Sequence, residues 1–282
     1  MTVGVPAGDS GPADVPTVPL AWDAGATGRY ALPGPGARRA RRRWLRRALI
    51  VVMAVTLLAA LAFAALMVAT PSVRTAPALA RAIDRAHHAA YPGPLVPQRF
   101  AAALTATEDH RFYSEPGFDP IAIGRVIVGR VTGQPDQGGA TLYQQLAKML
   151  YTQGRSGMAV EAEQIALGIK LDLTYPKGEI LRMYADVAYF GHGYYGLAAA
   201  SCGYFGVVPA GLTWPQAALL AGLMQAPSAD SPVGHLAMAR AREAHVLGRL
   251  VATGRLTAAQ AARAYRAPLH LSGGPGTGCA AR

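Results

Sequence analysis

The sequence is poor in cysteine, and it lacks several patterns that mark common functional classes. Its 282 residues include two cysteines, Cys202 and Cys279, and no His/Cys cluster has the spacing of a zinc site. No segment resembles a phosphate-binding Walker loop, and there is no internal repeat. These absences argue against a zinc protein, a P-loop nucleotidase and a repeat protein. The two cysteines could form a disulfide on an oxidising side of a membrane, but nothing in the sequence brings them together.

Acidic residues are also few, because 16 Asp and Glu oppose 27 Lys and Arg and leave a net charge of +11. Such a balance suggests nucleic acid, a membrane surface or an anionic substrate as the partner. Seven arginines lie in residues 38–47, and the next 22 residues, 48–69, carry no charge. That length is enough to cross a hydrocarbon core of about 30 Å. We therefore predict a basic juxtamembrane segment (38–47) and a single transmembrane helix (48–69) with a cytoplasmic N-terminus.

Two other interpretations of the N-terminal half stay open. The arginines could form a nucleic-acid-binding arm. The apolar segment could instead belong to a signal peptide cleaved near Ala78-Leu79-Ala80, although it exceeds the usual h-region of about 7–15 residues. Residues 1–37 are rich in Pro and Gly without periodicity, which predicts a disordered cytoplasmic tail. The remaining boundaries are a globular domain at 75–268 and a flexible tail at 269–282.

Alternation of apolar and polar residues is almost absent after residue 75, whereas helical periodicity recurs, so we predict a mostly α domain. Within it, Phe100, Leu104 and Glu108 are spaced four apart and form one helix stripe, which Pro97 can start. A carboxylate on the buried stripe is desolvated, and desolvation raises its pKa. Glu108 is therefore a candidate general base, unless it only pairs with Arg111 or faces water.

A second candidate site is "QGGATLYQQLAK", residues 137–148. A Gly-Gly pair leads into a helix that Thr141 can cap, and a helix start attracts anions. Gln144, Gln145 and Lys148 share the polar face, which suits sugar hydroxyls or a diphosphate, although such a face taken alone is more often an ordinary solvated surface. A third stretch, residues 189–206, alternates aromatics with glycines. These aromatics could pack on carbohydrate or fill a tight turn.

Taken in order, these stretches resemble the peptidoglycan glycosyltransferases, the family 51 glycosyltransferases of monofunctional transglycosylases and class A penicillin-binding proteins. The resemblance covers about residues 85–255. Glu108, Asp109, Phe112 and Gly117 match Glu-Asp-x-x-Phe-x-x-His-x-Gly. The 137–148 segment matches Gly-x-Ser-Thr-x-x-Gln-Gln with its following lysine. The stretches "EILRMYADVAYFGHGYYG" and "LTWPQAALLAGLMQAPS" match two later family segments.

The resemblance implies a lysozyme-like, two-lobed helical glycosyltransferase domain behind one transmembrane helix. Its substrates would be lipid II and a nascent glycan chain in the cell membrane, its partners cell-wall synthesis proteins, and nucleic acid would not be involved. Glu108 would be the base of an inverting transfer. A divalent cation (Mg²⁺ or Mn²⁺) is an optional expectation, and no residue is assigned as its ligand. By resemblance, the substrate-binding residues are Asp109, Phe112, Gly139, Thr141, Gln144, Gln145, Lys148, Gln164 and Lys170.

The chain departs from the family pattern in ways that bear on activity. Three single positions differ: Glu115 replaces His, Ala140 replaces Ser and Asp186 replaces Asn. In the third motif, Arg-Lys-x-x-Glu, the basic pair falls on Val160 and Glu161 and the Glu falls on Gln164, with Glu163 one residue before.

We expect Glu163 to turn into the cleft as the second carboxylate, and Gly168, on the same face as Gln164, to open space for substrate. No Ser-x-x-Lys occurs, so a monofunctional enzyme is expected. A non-catalytic scaffold that binds lipid II or glycan and, more remotely, a hydrolase remain alternatives.

Overall fold

The computed structural model describes residues 35–119, 129, 132–133 and 140–272, with side-chain surroundings from residue 41 onward. Several predictions fall outside these residues: the tail up to residue 34, Gly139, Cys279 and the last ten residues. Contacts divide the chain into two compact units, Met1–Leu58 and Ala59–Arg282. The described elements are helical, and the only extended pairing among the described residues is a bridge between Tyr189 and Tyr195. The mostly α prediction is confirmed.

The first helix, α1 (Pro35–Ala69), runs without a break through both the basic segment and the uncharged segment. Proline suits its first turn, because the missing N–H would have no partner there. Large apolar side chains along it are exposed, Leu49 at 59% and Leu58 at 69%. By length and composition, it is long and apolar enough to cross a membrane.

Nine further helices with described bounds follow a 3₁₀ turn at Val73–Thr75. They are α2 (Ala76–Ala86), α3 (Gln98–Glu108), α4 (Leu142–Tyr151), α5 (Met158–Thr174), α6 (Lys177–Val187), α7 (Leu197–Phe205), α8 (Trp214–Leu223), α9 (Leu236–Ala252) and α10 (Ala258–Arg266). The helix predicted from the Phe100 stripe begins at Gln98, with Pro97 as its N-cap. A capping box of Thr213 and Gln216 starts α8, since Gln216 Oε1 accepts from Thr213 N at 3.0 Å.

The core forms where two groups of helices pack. In one group α3, α8 and α9 pack on one another; in the other α4 packs on α5 and α6, and α6 also packs on α2. Phe100 and Leu104 are fully buried, as their stripe predicts. Both helices that carry the candidate site, α3 and α4, therefore have rigid neighbours on their apolar sides.

Gly168 packs a helix against a loop, and it does not open space for substrate as expected. A Cβ added at Gly168 would lie 3.0 Å from the carbonyl oxygen of Gly117 and 3.3 Å from Tyr143 Cβ. Gly117 has a φ of +71°, and a Cβ there would lie 2.7 Å from the carbonyl oxygen of Gly168. The two glycines thus let the loop after α3 press directly on α5.

Candidate active site

Glu108 is the last residue of α3, and its half-buried carboxylate borders a large cavity. The buried stripe below it fixes the helix, so the side chain emerges where the core ends. Its Oε2 accepts a hydrogen bond of 2.9 Å from Gln145 Nε2. Burial raises the pKa of Glu108, while the hydrogen bond from Gln145 and the charge of Arg242 oppose the rise. The environment therefore favours a carboxylate that can take up a proton closer to neutrality than an exposed Glu.

Gln145 links Glu108 to the opposite wall of the site. The hydroxyl of Tyr184, which is buried on α6, donates to Gln145 Oε1 at 2.7 Å. Because that oxygen already accepts from Tyr184, the amide nitrogen must point towards Glu108. The chain of bonds from Tyr184 through Gln145 fixes the orientation of the Glu108 carboxylate.

Several predicted substrate-binding residues help to build the start of α4. Asp109 Oδ2 accepts from Leu142 N at 3.0 Å, and Thr141 with Gln144 forms a reciprocal capping box. Asp109, Thr141 and Gln144 are each no more than 8% exposed. Phe112, predicted at the site, is fully buried and stacks on Tyr143, with ring centroids 5.2 Å apart.

The cavity itself has a volume of about 1220 Å³. Of the predicted site residues, it brings together Glu108, Gln144, Gln145, Lys148 and Gln164. Lys148 is exposed on α4 and supplies a positive charge to the wall. A polar wall with one carboxylate, amides and a cation can hold a large, hydroxyl-rich anionic ligand.

The structure reverses the expected orientation of the third motif. Gln164 lines the cavity and donates to Thr152 Oγ1 at 2.8 Å, whereas Glu163 is not among the lining residues. Glu163 forms an ion pair of 2.8 Å with Arg155, from the turn that precedes α5. Lys170 is also outside the cavity, since its Nζ donates to the carbonyl and hydroxyl oxygens of Thr70, just beyond α1.

A sequence profile of the transglycosylase family matches residues 77–251, which is more than half of the chain. The chain belongs to the transglycosylase family. The resemblance inferred from the sequence motifs is therefore confirmed, and the match spans α3, α4 and the whole cavity wall. In this family's third motif, the chain places an amide, Gln164, at the cavity where the pattern has a carboxylate.

Relatives from several bacteria support the assignment. The chain is 34% identical over 176 residues to a candidate transglycosylase of Cupriavidus necator, covering 76% of that protein. It is 38% identical over 157 residues to penicillin-binding protein 1A of Haemophilus influenzae and 34% identical over 177 residues to penicillin-binding protein 1F of Bacillus subtilis. It spans 18% and 25% of the lengths of these two proteins.

A crystal structure of penicillin-binding protein 1A from Haemophilus influenzae also matches, at 23% identity and a TM-score of 0.39, covering 65% of this chain and 18% of that one. The transglycosylase family and these relatives support peptidoglycan glycosyltransferase activity. The relatives named penicillin-binding proteins are longer than this chain, and the similarity concerns only the matched part of each.

Some residues at the site were not predicted from the sequence. The charges of Arg242 and His245, on α9, act on Glu108 and lower its pKa. His87, at the end of α2, stacks on Tyr195 with ring centroids 3.4 Å apart, and both line the cavity. Arg242 and His245 are three residues apart, so the sequence indicates that they share one face of a helix. Only the packing of the helices shows that this face meets α3.

Proposed function

We propose that this transglycosylase polymerises lipid II into β-1,4-linked glycan strands, with Glu108 as the general base. The observation that carries the proposal is the half-buried Glu108 carboxylate, oriented by Gln145 at the edge of the 1220 Å³ cavity. The volume is large enough for sugar rings, and the raised pKa of Glu108 suits proton uptake near neutral pH.

In the proposed step, Glu108 takes the proton of the acceptor's 4-hydroxyl while that oxygen bonds to the anomeric carbon of the growing chain. The bond from the anomeric carbon to the diphosphate oxygen breaks with inversion, and the diphosphate-lipid leaves with the bonding electrons. Glu108 then returns the proton to solvent. The amide of Gln145 holds the carboxylate in place and does not itself transfer a proton.

We assign the diphosphate contact to Lys148 rather than to the helix start expected from the sequence. Two N–H groups of the first turn of α4 already have acceptors, because Leu142 N donates to Asp109 and Gln144 N donates to Thr141. Lys148 lies one turn further on and is exposed to the cavity. A cation there would pair with the leaving group's charge as it develops.

The step is written without a metal ion. Among the described residues, no group of three or more His, Cys, Asp and Glu side chains could hold one. Glu108 is the only carboxylate among the described cavity-lining residues, which is a poor set of ligands for Mg²⁺ or Mn²⁺. The optional divalent cation therefore stays a prediction, and an ion bound through the substrate's own diphosphate is the form that these residues would allow.

Membrane anchoring by α1 belongs to the same proposal. A lipid-linked substrate stays in the bilayer, so an enzyme tethered by a spanning helix meets it without leaving the surface. The uncharged, exposed length of α1 supports this role. The catalytic residues would then work on the outer side of a bacterial cell membrane.

The test is polymerisation of labelled lipid II by the full-length protein and by Glu108→Gln. The amide keeps the shape of the side chain but cannot accept the proton, so glycan formation should fall by about 10²-fold or more. Glu179→Gln, at an exposed position of α6, is the matched control and should retain the wild-type rate.

Three results would contradict this proposal. A wild-type rate in Glu108→Gln would remove the proposed base. Binding of lipid II without polymer would favour the scaffold alternative, which the amide at Gln164 motivates. Shortening of preformed glycan would indicate a hydrolase.

A further inference from the structure

Glu115 lies in the loop after α3, and its side chain is buried without a hydrogen-bond donor. The residue is 6% exposed, and no N–H or O–H group among the described residues donates to either carboxyl oxygen. An ionised carboxylate in this state would be strongly unfavourable, because burial removes its water and nothing replaces it. The Glu115 carboxyl group is therefore expected to be in its protonated, neutral form.

The two cations whose charges act on Glu115 are already engaged elsewhere. Arg111 forms an ion pair with Asp119. Lys177 donates to the backbone carbonyl of Glu115 at 2.8 Å, not to its carboxyl group, and also to Tyr143 Oη at 2.9 Å and Asp172 Oδ1 at 3.2 Å. Neither cation neutralises the Glu115 carboxyl by direct contact.

The group that does meet Glu115 is the side chain of Asp109, which lies within hydrogen-bonding reach. Two carboxyl groups can bond to each other only if one of them carries a proton. Asp109 Oδ2 accepts from Leu142 N, at the positive end of the α4 dipole, so negative charge is favoured on Asp109. The shared proton then belongs to Glu115.

We propose that Glu115 is kept as a neutral carboxylic acid whose O–H donates to Asp109, and that it positions the start of α4. Asp109 then accepts two hydrogen bonds, one from Glu115 and one from the first N–H of α4. Because Gln145 lies on the first turn of α4 and orients Glu108, the proton on Glu115 sets the geometry of the candidate base through Asp109. Glu115 is thus a positioning residue that does not touch the substrate.

The departure from the family motif fits this role. The motif has a histidine where this chain has Glu115, and a neutral imidazole also carries an N–H that can donate. A protonated glutamic acid is the form of Glu that supplies a donor at the same place. A deprotonated Glu115 would instead set two negative charges against each other under α4.

Burial, and after it the hydrogen bond and charge of Asp109, raise the pKa of Glu115 to about 8, although the charges of Arg111 and Lys177 oppose the rise. The other titratable groups facing this cluster are Tyr143, and Asp172 bonded to it. For an acid whose pKa is higher in the folded state, the folded protein holds the proton more tightly. Its contribution to stability is therefore full below the unfolded pKa and is lost as pH rises to about 8.

The test compares wild type, Glu115→Gln and Glu115→Ala as full-length protein in lipid nanodiscs. In an infrared pH titration, the protonated carboxyl band of wild type should contain a component that titrates near pH 8 and that is missing in Glu115→Gln. The buried carboxyls of Asp84 and Glu243, whose pKa values are raised to about 7, should contribute to the band in both proteins. The amide can donate to Asp109 at every pH, so Glu115→Gln should also lose less thermal stability than wild type between pH 5 and pH 8. Asp84→Asn is the matched control, because Asp84 is also fully buried and without a hydrogen-bond partner but lies on α2.

Activity provides the second readout, and this part rests on the proposed function. The polymerisation rate of wild type should fall above about pH 8, and this fall should disappear in Glu115→Gln. Glu115→Ala should lose about tenfold or more of the rate at all pH values, since one pK unit of lost interaction corresponds to about tenfold. Asp84→Asn should keep the alkaline fall.

An unchanged infrared band and an unchanged stability slope in Glu115→Gln would overturn the proposal. If neither wild type nor any variant polymerises lipid II, the proposed function fails. The infrared and stability measurements then still show whether Glu115 is protonated.

Discussion

At the scale of single residues, the site depends on which atoms already have partners. Gln145 has one end fixed by Tyr184 and the other directed at Glu108, so its amide acts on the pKa of the proposed base before any substrate binds. The hydrogen bond to Glu108 stabilises the charged form and opposes the effect of burial on its pKa. Weakening this bond should therefore make the base harder to ionise.

We expect Gln145→Leu to raise the pKa of Glu108 further, because burial then acts without the opposing hydrogen bond. The acid limb of the pH profile of kcat/KM should move to higher pH, with a several-fold loss of rate at pH 6 and a smaller loss at pH 8. Tyr184→Phe should shift the acid limb in the same direction but by less. The amide of Gln145 is still present in this variant and can donate to Glu108, although it is free to turn away. Pre-steady-state assays with labelled lipid II across this pH range provide the measurement.

Tyr204→Phe is the control for this prediction. Tyr204 is also buried, but its hydroxyl donates to the carbonyl of Phe190, away from the cavity. Its variant should lower stability without moving the acid limb. A shift of equal size in Tyr204→Phe would mean that general loosening of the fold, rather than the bond to Glu108, sets the pH profile.

At the scale of elements, local signals in the sequence were reliable. The Phe100–Leu104 stripe and the Thr141 cap both depend on residues within about one turn of each other, and both are present as predicted. Such signals can be read from spacing alone, because the contacts that satisfy them lie within the same helix.

The orientation of α5 could not be read in that way. Glu163 and Gln164 are neighbours separated by about 100° on the helix, so either can face the cavity. The choice depends on Arg155, eight residues before Glu163, and on Gly168 packing against Gly117. Both are tertiary contacts. The roles of Arg242 and Glu115 were missed for the same reason.

The capping box of α4 gives an element-scale prediction. Thr141→Ala removes the hydroxyl that accepts from Gln144 N, so it should destabilise the protein by about 1 kcal/mol. The loss also frees the first turn of α4 beside Asp109, and polymerisation should fall with it.

Thr257→Ala is a matched control, since Thr257 forms the same box with Gln260 at the start of α10 and is exposed. Chemical denaturation and the lipid II assay should show similar or smaller stability loss in Thr257→Ala, with wild-type activity. Equal activity loss in both variants would contradict a specific role for the α4 start.

At the scale of the whole chain, charge is distributed unevenly along the sequence. The net charge of +11 includes seven arginines within ten residues, and they immediately precede the uncharged part of α1. Arginines at one end of a spanning helix keep that end in the cytoplasm. We therefore predict that this charge orients α1 in a membrane and does not bind nucleic acid.

The orientation prediction is a cytoplasmic N-terminus with residues after 70 on the outer side. Alkaline phosphatase, which needs an oxidising compartment to fold, should be active when fused after residue 272, whereas a fluorescent protein that matures only in the cytoplasm should be dark there. Replacing the seven arginines of 38–47 with asparagine should lower phosphatase activity, because the charge bias that retains the N-terminus is lost. Replacing Arg263 and Arg266 on α10 instead removes positive charge without touching that bias, and should leave the phosphatase signal unchanged. Bright fluorescence from the C-terminal fusion of the unaltered chain would contradict this orientation, and would leave Glu108 on the side of the membrane where a substrate in the outer leaflet cannot be reached.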